Sequence, residues 1–507
     1  MPISRWMEEA PARLMACVIA ALLALRIGAL IASPLELHFD EAQYWDWSRA
    51  LAWGYFSKPP LIAWVIWAFT SVFGNAEWAV RLAAPIAHAF GAWALFLLGR
   101  RIYGAHAGVW AGLIWMTLPA VWLSSAIMST DALAMPLWSF ALYALWRLIE
   151  TRTWVWAIWL GVAIGLGALA KYAMLYFPLC AGLAAIWSPR VRAAVLSPHG
   201  AAAGAIALLI LAPNLAWNAM NSFATVEHTA ANANLGGDLL HPEELLEFLG
   251  SQAGVVGPVL FVALGFCLFR AGRAPSALKD EDKFLLAFVL PTLIIILTQA
   301  LISRAHANWA AAAYPAAIVW LSGRLQPSAN GRRTLWAAFA TQVLLGALII
   351  AVGVGPALGD RIGLSDATKR LRGWRDTAQE ITLRVNEGQY SAIVVDHRAL
   401  YFELNYYLRD ARGALPPIRM WVLNAEAGNH AEAAAPVRAG DSARVLVVHQ
   451  VPRYLPFLHS DFERCTRQAG ATIPLGGGET RVLAFSVCEN FRPVPRDAAF
   501  QRRLDAS

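Results

Sequence analysis

A chain of 507 residues with 58% hydrophobic and only 15% charged side chains cannot clothe a large water-facing surface, since soluble domains carry about 25% charged residues. A net charge of +7 would suit nucleic acid. The basic residues, however, sit in short clusters between apolar runs, as juxtamembrane anchors do. Nucleic acid is therefore excluded as a partner, and a polytopic membrane protein is indicated. Twenty-three Trp agree, because indole rings favour the membrane–water interface.

A helix needs roughly 20 apolar residues to cross the hydrocarbon core. Runs of that order predict eleven spans, at 14–32, 77–98, 105–123, 132–149, 154–170, 172–187, 200–217, 252–269, 284–302, 307–322 and 333–355. The first is longer than a signal-peptide core and has no small-x-small cleavage site before His38, so it is expected to remain as an anchor.

One further apolar stretch, 59–74, decides the topology. If it lies in the interface, the loops on the amino-terminal side hold fifteen Lys and Arg, from Arg5 to Arg333. The opposite loops before the tail then hold four: Arg49, Lys58, Lys171 and Arg304. The positive-inside rule favours that arrangement. It predicts a cytoplasmic amino terminus and a tail outside.

The chain is expected to divide into a membrane domain, 1–355, with a first outer loop at 33–76, and a tail, 356–507. In the tail, charges return, and β-rich runs (391–395, 419–423, 444–449, 481–487) alternate with helix-like stretches such as 399–409. That predicts a small α/β domain. Its cysteines, Cys465 and Cys488, would face an oxidising compartment and are able to pair. Cys17, Cys180 and Cys267 lie in apolar runs and are expected to pack.

The first outer loop runs His38-Phe39-Asp40-Glu41-Ala42-Gln43-Tyr44-Trp45-Asp46-Trp47, then Gly54-Tyr55-Phe56-Ser57-Lys58-Pro59-Pro60. Adjacent acids beside a membrane span are costly to hold near lipid and usually have a partner or a task. A carboxylate partly desolvated among interfacial aromatics can serve as a base. The plainer reading is a solvated acidic loop. Helix 105–123 should emerge on the same face and lead to Asp131, a second acid or, alternatively, a helix cap.

A DE pair after the first span, followed by a KPP element, resembles the GT-C superfamily of membrane glycosyltransferases. The resemblance is closest to the branch of protein O-mannosyltransferases, lipid A aminoarabinose transferases and lipopolysaccharide-core galacturonosyltransferases. It covers about residues 10–325, and it implies a GT-C-like α-helical fold with interfacial helices in the first outer loop. It implies Asp40 as catalytic base, Glu41 and Asp131 as further acids, and Lys58 as the contact to a carrier phosphate. Arg304 and His306 match only by position, as a second cationic contribution; a snorkelling anchor is the alternative for Arg304. Tyr44, Tyr55, Asn218 and His228 are candidate sugar or acceptor contacts, and Lys171 is expected to snorkel.

The partners implied are a polyprenyl-phosphate-linked sugar, a lipid or glycan acceptor and membrane lipids, at the outer face of a bacterial inner membrane. Displacement in line would invert the anomeric carbon. No cofactor is required; His38 beside Asp40 offers a divalent cation two ligands, which do not define a site. HExxH, CxxC, Walker A and GxSxG elements are missing from the sequence, so zinc-peptidase, nucleotide-hydrolase and α/β-hydrolase chemistry lack support. A transporter would need charged spans and two related halves; the spans lack acidic residues at mid-depth, and no halves match. A polysaccharide polymerase or ligase shares many spans and a large outer loop, but not the DE…KPP spacing.

Overall fold

The computed structural model describes residues 10–223, 225, 240–441 and 443–506. The chain divides into two compact units, one formed by residues 1–32 and 52–350, the other by 33–51 and 351–507. The boundary thus differs from the expected one. Residues 33–51, which the hydropathy pattern leaves inside the membrane domain, fold with the tail.

Among the described residues, six helices are long and apolar enough to cross a membrane. They are Pro11–Ala32, Glu77–Tyr103, Thr130–Thr151, Pro198–Met220, Asp280–Ile302 and Ala329–Val354. The pair Pro242–Val256 and Pro258–Arg273, bent by 115°, would make a seventh. Fewer spans than the eleven expected pass this test among the described residues, because several apolar runs are broken or short. Gly257, at φ 87°, and Pro258 turn the chain within the run expected at 252–269. At 307–322 the chain first forms a 3₁₀ helix, Ala307–Ala313, and only then an α-helix, Tyr314–Leu325.

The run at 105–123 is likewise broken, into Ala105–Thr117 and Pro119–Ser124, with Leu118 extended between them. A residue before proline avoids the helical region, and proline brings no N–H to the preceding turn. One freed carbonyl, that of Met116, accepts a hydrogen bond from the guanidinium of Arg26, a buried residue of the first helix whose charge also lies over the Trp122 ring.

Helix Leu61–Phe73 has 13 residues. At about 1.5 Å per residue it falls well short of the ~30 Å hydrocarbon core. Small residues set the closest helix contacts: a Cβ on Gly161 would lie 2.6 Å from the Ala203 carbonyl, and one on Gly165 2.8 Å from Ile210. In lipid, where apolar burial gives no drive to association, such close backbone approach supplies the packing.

The second unit carries a five-stranded sheet in the order β2-β1-β3-β5-β4. Its strands are β1 Ala392–Val395, β2 Ile418–Met420, β3 Val445–His449, β4 Phe462–Gly476 and β5 Glu479–Phe491. β1 runs parallel to β2 and β3, while β5 pairs antiparallel with β3 and β4. β1 and β3 are buried along their whole length, as continuous Val/Ile/Leu runs predict for central strands. Cys465 and Cys488 face each other across the β4–β5 hairpin and are joined as a disulfide.

His430 lies against Trp47 and Phe402, and burial lowers its pKa from 6.5 to about 4. The unfolded chain would take up this proton near 6.5, the folded chain only near 4. His430 therefore contributes stability above pH 6.5 that is lost as pH falls towards 4, by at most about 1.4 kcal/mol per pH unit. Glu36 and Asp46, raised by burial, act in the opposite sense. Relative to His430→Phe, wild type should lose protection of the β1 and β3 amides, corrected for the intrinsic exchange rate, as pH falls from 6.5 to 4. An unchanged slope would show that His430 does not titrate with unfolding.

Candidate functional site

In the second unit, residues 33–37 are tied to the tail before the acidic pair begins. The Glu36 carboxylate accepts the backbone N–H groups of Trp374 and Arg375, at the start of helix Trp374–Asn386. The Leu37 N–H donates to the Tyr407 hydroxyl at 2.9 Å. Helix Phe39–Ser48 then starts with a reciprocal cap. His38 Nδ1 accepts the Asp40 N–H at 3.3 Å, and Glu41 Oε2 accepts the His38 N–H at 2.9 Å. Further along, Trp45 packs edge-on to Tyr406, and Asp46 pairs with Arg412 at 3.2 Å.

This geometry separates two acids that adjoin in sequence. Glu41 is fully buried and engaged in the cap. The Asp40 side chain is 40% exposed and lies 3.7 Å from both His38 Nδ1 and the Arg398 guanidinium. Those are ion-pair separations, and among the described residues no group donates a hydrogen bond to the Asp40 carboxylate. It is open to a hydroxyl from solution. Burial lowers the His38 pKa, the nearby acids opposing. With Nδ1 accepting, the neutral ring carries its proton on Nε2.

In the first unit, the segment 52–60 is clamped from one side. The Trp53 carbonyl accepts Asn214 Nδ2 at 2.7 Å, the Tyr55 carbonyl accepts the Thr225 hydroxyl at 2.6 Å, and the Ala52 carbonyl accepts the Trp64 indole at 2.9 Å. Gly54 must lack a side chain, since a Cβ there would sit 2.3 Å from the Trp217 ring. The Tyr55 N–H closes a turn onto the Lys58 carbonyl at 3.1 Å, and two prolines follow into helix Leu61–Phe73. Lys58, half-buried, is therefore carried on a constrained backbone.

Asp131 lies in the first turn of helix Thr130–Thr151, whose cap is Ser129 and not Asp131 itself. Its oxygens accept Lys171 Nζ at 2.8 and 3.0 Å and Asn308 Nδ2 at 2.7 Å. The expectation that Lys171 snorkels is thereby corrected: its ammonium spends its charge on Asp131. Arg304 and His306 precede Asn308 in the same connection and are both exposed. The structure thus brings Asp131, Lys171 and Asn308 together, and separately His38, Asp40 and Arg398.

The weaker candidates fare differently. Tyr44 and Tyr55 are 6% and 4% exposed, and Asn218 is fully enclosed, donating to the Tyr172 hydroxyl and the Asn214 carbonyl. These side chains hold their segments in place and do not present an open surface to a sugar. His228 lies outside the described residues. Sequence reasoning missed Lys171, although an acid and a base at neighbouring span ends on one predicted face were a usable signal. It also missed Arg398, which carries no local signal, being more than 350 residues from Asp40 in sequence.

Residues 57–217 match the family described as dolichyl-phosphate-mannose-protein mannosyltransferase. Over 408 residues the chain is 34% identical to the lipid A galacturonosyltransferase RgtD of Rhizobium johnstonii, covering 76% of this chain and 80% of that protein. It is 28% identical over 291 residues to the undecaprenyl phosphate-alpha-4-amino-4-deoxy-L-arabinose arabinosyl transferase of Pseudomonas paraeruginosa, covering 51% and 50% of the two. Among solved structures it resembles ArnT from Cupriavidus metallidurans bound to undecaprenyl phosphate, with a TM-score of 0.61, 14% identity, and coverage of 96% of this chain and 98% of that one. The fold is accordingly that of a GT-C-type membrane protein with a small sheet domain after the helices. The chain belongs to the GT-C superfamily of membrane glycosyltransferases, in the branch that holds the lipopolysaccharide galacturonosyltransferases and aminoarabinose transferases.

Proposed function

We propose that this protein transfers a uronic acid residue from a polyprenyl-phosphate carrier to lipid A or a core-type lipopolysaccharide acceptor, at the outer face of a bacterial inner membrane, with inversion at the anomeric carbon. The amino terminus is then cytoplasmic and the sheet domain lies outside, as the distribution of Lys and Arg favours. Asp40 removes the proton of an acceptor hydroxyl, and that oxygen attacks the anomeric carbon. The carbon–oxygen bond to the carrier breaks, and the electron pair leaves with a phosphate that is already anionic. Lys58 meets the growing charge, with Arg304 and His306 as further cations. No protein acid and no cofactor enter the reaction so written; electrostatic stabilisation of the leaving phosphate is its main term.

The observation that carries this reading is the 34% identity across four-fifths of a lipid A galacturonosyltransferase. The half-exposed Asp40 carboxylate, which accepts no hydrogen bond among the described residues, supplies the base it needs. The test is transfer of radiolabelled uronic acid from polyprenyl phosphate to lipid A by the purified protein in nanodiscs. Wild type should label lipid A and release polyprenyl phosphate. Failure with every polyprenyl-phosphate sugar, together with movement of solute across vesicles, would replace the transferase by a transporter.

A further inference from the structure

We propose that Arg398 is a specificity-determining residue that grips an anionic group, carboxylate or phosphate, on the ligand whose hydroxyl or sugar meets Asp40. This deepens the transferase reading and rests on it for the role of Asp40. The inference comes from how the guanidinium is held and what it leaves unspent. Arg398 opens helix Arg398–Tyr407, directly after the cap His397, and its guanidinium lies over the Phe39 ring at 4.8 Å. A guanidinium over an aromatic face is attracted by the ring at little cost in hydration.

Its only acidic neighbour among the described residues is Asp40, at 3.7 Å, beyond hydrogen-bonding distance. No acceptor on the protein takes any of its side-chain N–H donors among the described residues. Yet the side chain is 35% exposed, beside a carboxylate that is itself open. A guanidinium that merely neutralised Asp40 would close to a bidentate pair; this one stays at 3.7 Å. Planar donors of this kind match the two oxygens of a carboxylate or phosphate. The surroundings add positive potential. Arg370 is exposed and acts electrostatically on His38, as Arg398 does, while the nearby acids are Asp40 and the buried, cap-bound Glu41.

Two sources supply the anion: the carboxylate of a uronic acid donor, or a phosphate of the acceptor lipid. The experiment compares wild type, Arg398→Met and Arg398→Lys in nanodiscs. The donors are polyprenyl-phosphate galacturonic acid and its neutral counterpart, polyprenyl-phosphate galactose. The acceptors are lipid A with its phosphates and dephosphorylated lipid A. Binding of each ligand is measured beside transfer. Arg398→Met should lower kcat/KM for the charged member of one pair by roughly 10- to 100-fold while leaving its neutral partner unchanged, and Arg398→Lys should recover part of the loss. Selectivity lost in the donor pair assigns the carboxylate; selectivity lost in the acceptor pair assigns the phosphate.

Equal loss for charged and neutral ligands, or no loss, overturns the proposal, because a residue that only orients Asp40 or supports the fold cannot sense ligand charge. The binding arm keeps the two readings apart. If no sugar is transferred, yet wild type prefers a charged ligand and Arg398→Met abolishes that preference, the transferase reading falls and the Arg398 assignment stands. If neither transfer nor binding distinguishes charge, the Arg398 assignment falls.

Discussion

Asp40→Asn should reduce transfer by ~10²–10⁴-fold, the range typical for loss of a general base, with abundance and membrane insertion unchanged. The substitution is nearly isosteric and removes only the carboxylate's ability to take a proton. The structure gives it little else to disturb. The Asp40 side chain accepts no hydrogen bond among the described residues, and the cap at the start of its helix uses the Asp40 N–H, which Asn retains. Glu41→Gln is the matched control. The Glu41 carboxylate is buried and accepts the His38 N–H at 2.9 Å, a bond the amide oxygen of Gln can also accept. It should therefore transfer sugar at close to the wild-type rate. Single-turnover assays with purified carrier would decide: full activity in Asp40→Asn removes the mechanism, and an inactive Glu41→Gln beside an active Asp40→Asn reverses the assignment within the pair.

Lys58→Ala should slow transfer by roughly 10²–10³-fold, the scale of losing one preorganised group that meets charge developing in a transition state. The phosphate becomes more negative as the glycosidic bond breaks, so the loss should appear in kcat as well as in carrier affinity. Preorganisation is visible in the backbone. The Tyr55–Lys58 turn, the clamp from Asn214 and Thr225, and the two following prolines leave Lys58 little freedom to reach its target from elsewhere. Lys58→Arg should rescue only part of the activity, because a guanidinium presents its donors as a rigid fork and an ammonium as a compact charge. An interface anchor would be served equally by either. The assay is transfer at limiting carrier concentration; equal turnover by wild type and Lys58→Ala would mean that the carrier phosphate is bound without Lys58.

The membrane class was written in composition, and so was the position of the six long helices, because hydropathy is summed over many residues and does not depend on what each one touches. Strands β1 and β3 were legible for a related reason: 392–395 and 445–448 are unbroken apolar runs, as strands buried on both faces must be. β4 was not. Phe462–Gly476 carries Glu463, Arg464 and Arg467 with Gly470 and Pro474, and its extended form follows from pairing with β5 along the hairpin. The breaks at Leu118 and Gly257 had visible markers in Pro119 and Pro258, but a proline in an apolar run is compatible with a kinked span as well as with a broken one.

For the site, local sequence carried the residue types and the tertiary structure divided their tasks. Asp40, Glu41 and Lys58 stand out in any scan of the first outer loop, because acids and a KPP element beside a membrane span are conspicuous. That Glu41 is a capping residue while Asp40 is open depends on which side of one helical turn each carboxylate faces. That Asp131 is held by Lys171 and Asn308, and Asp40 accompanied by Arg398, depends on contacts across 40, 177 and 358 positions of sequence. Coulomb and hydrogen-bond partners act over a few ångströms in space and have no sequence period. Hydropathy could place these charges near a membrane surface; only the folded chain decided which of them were paired with one another.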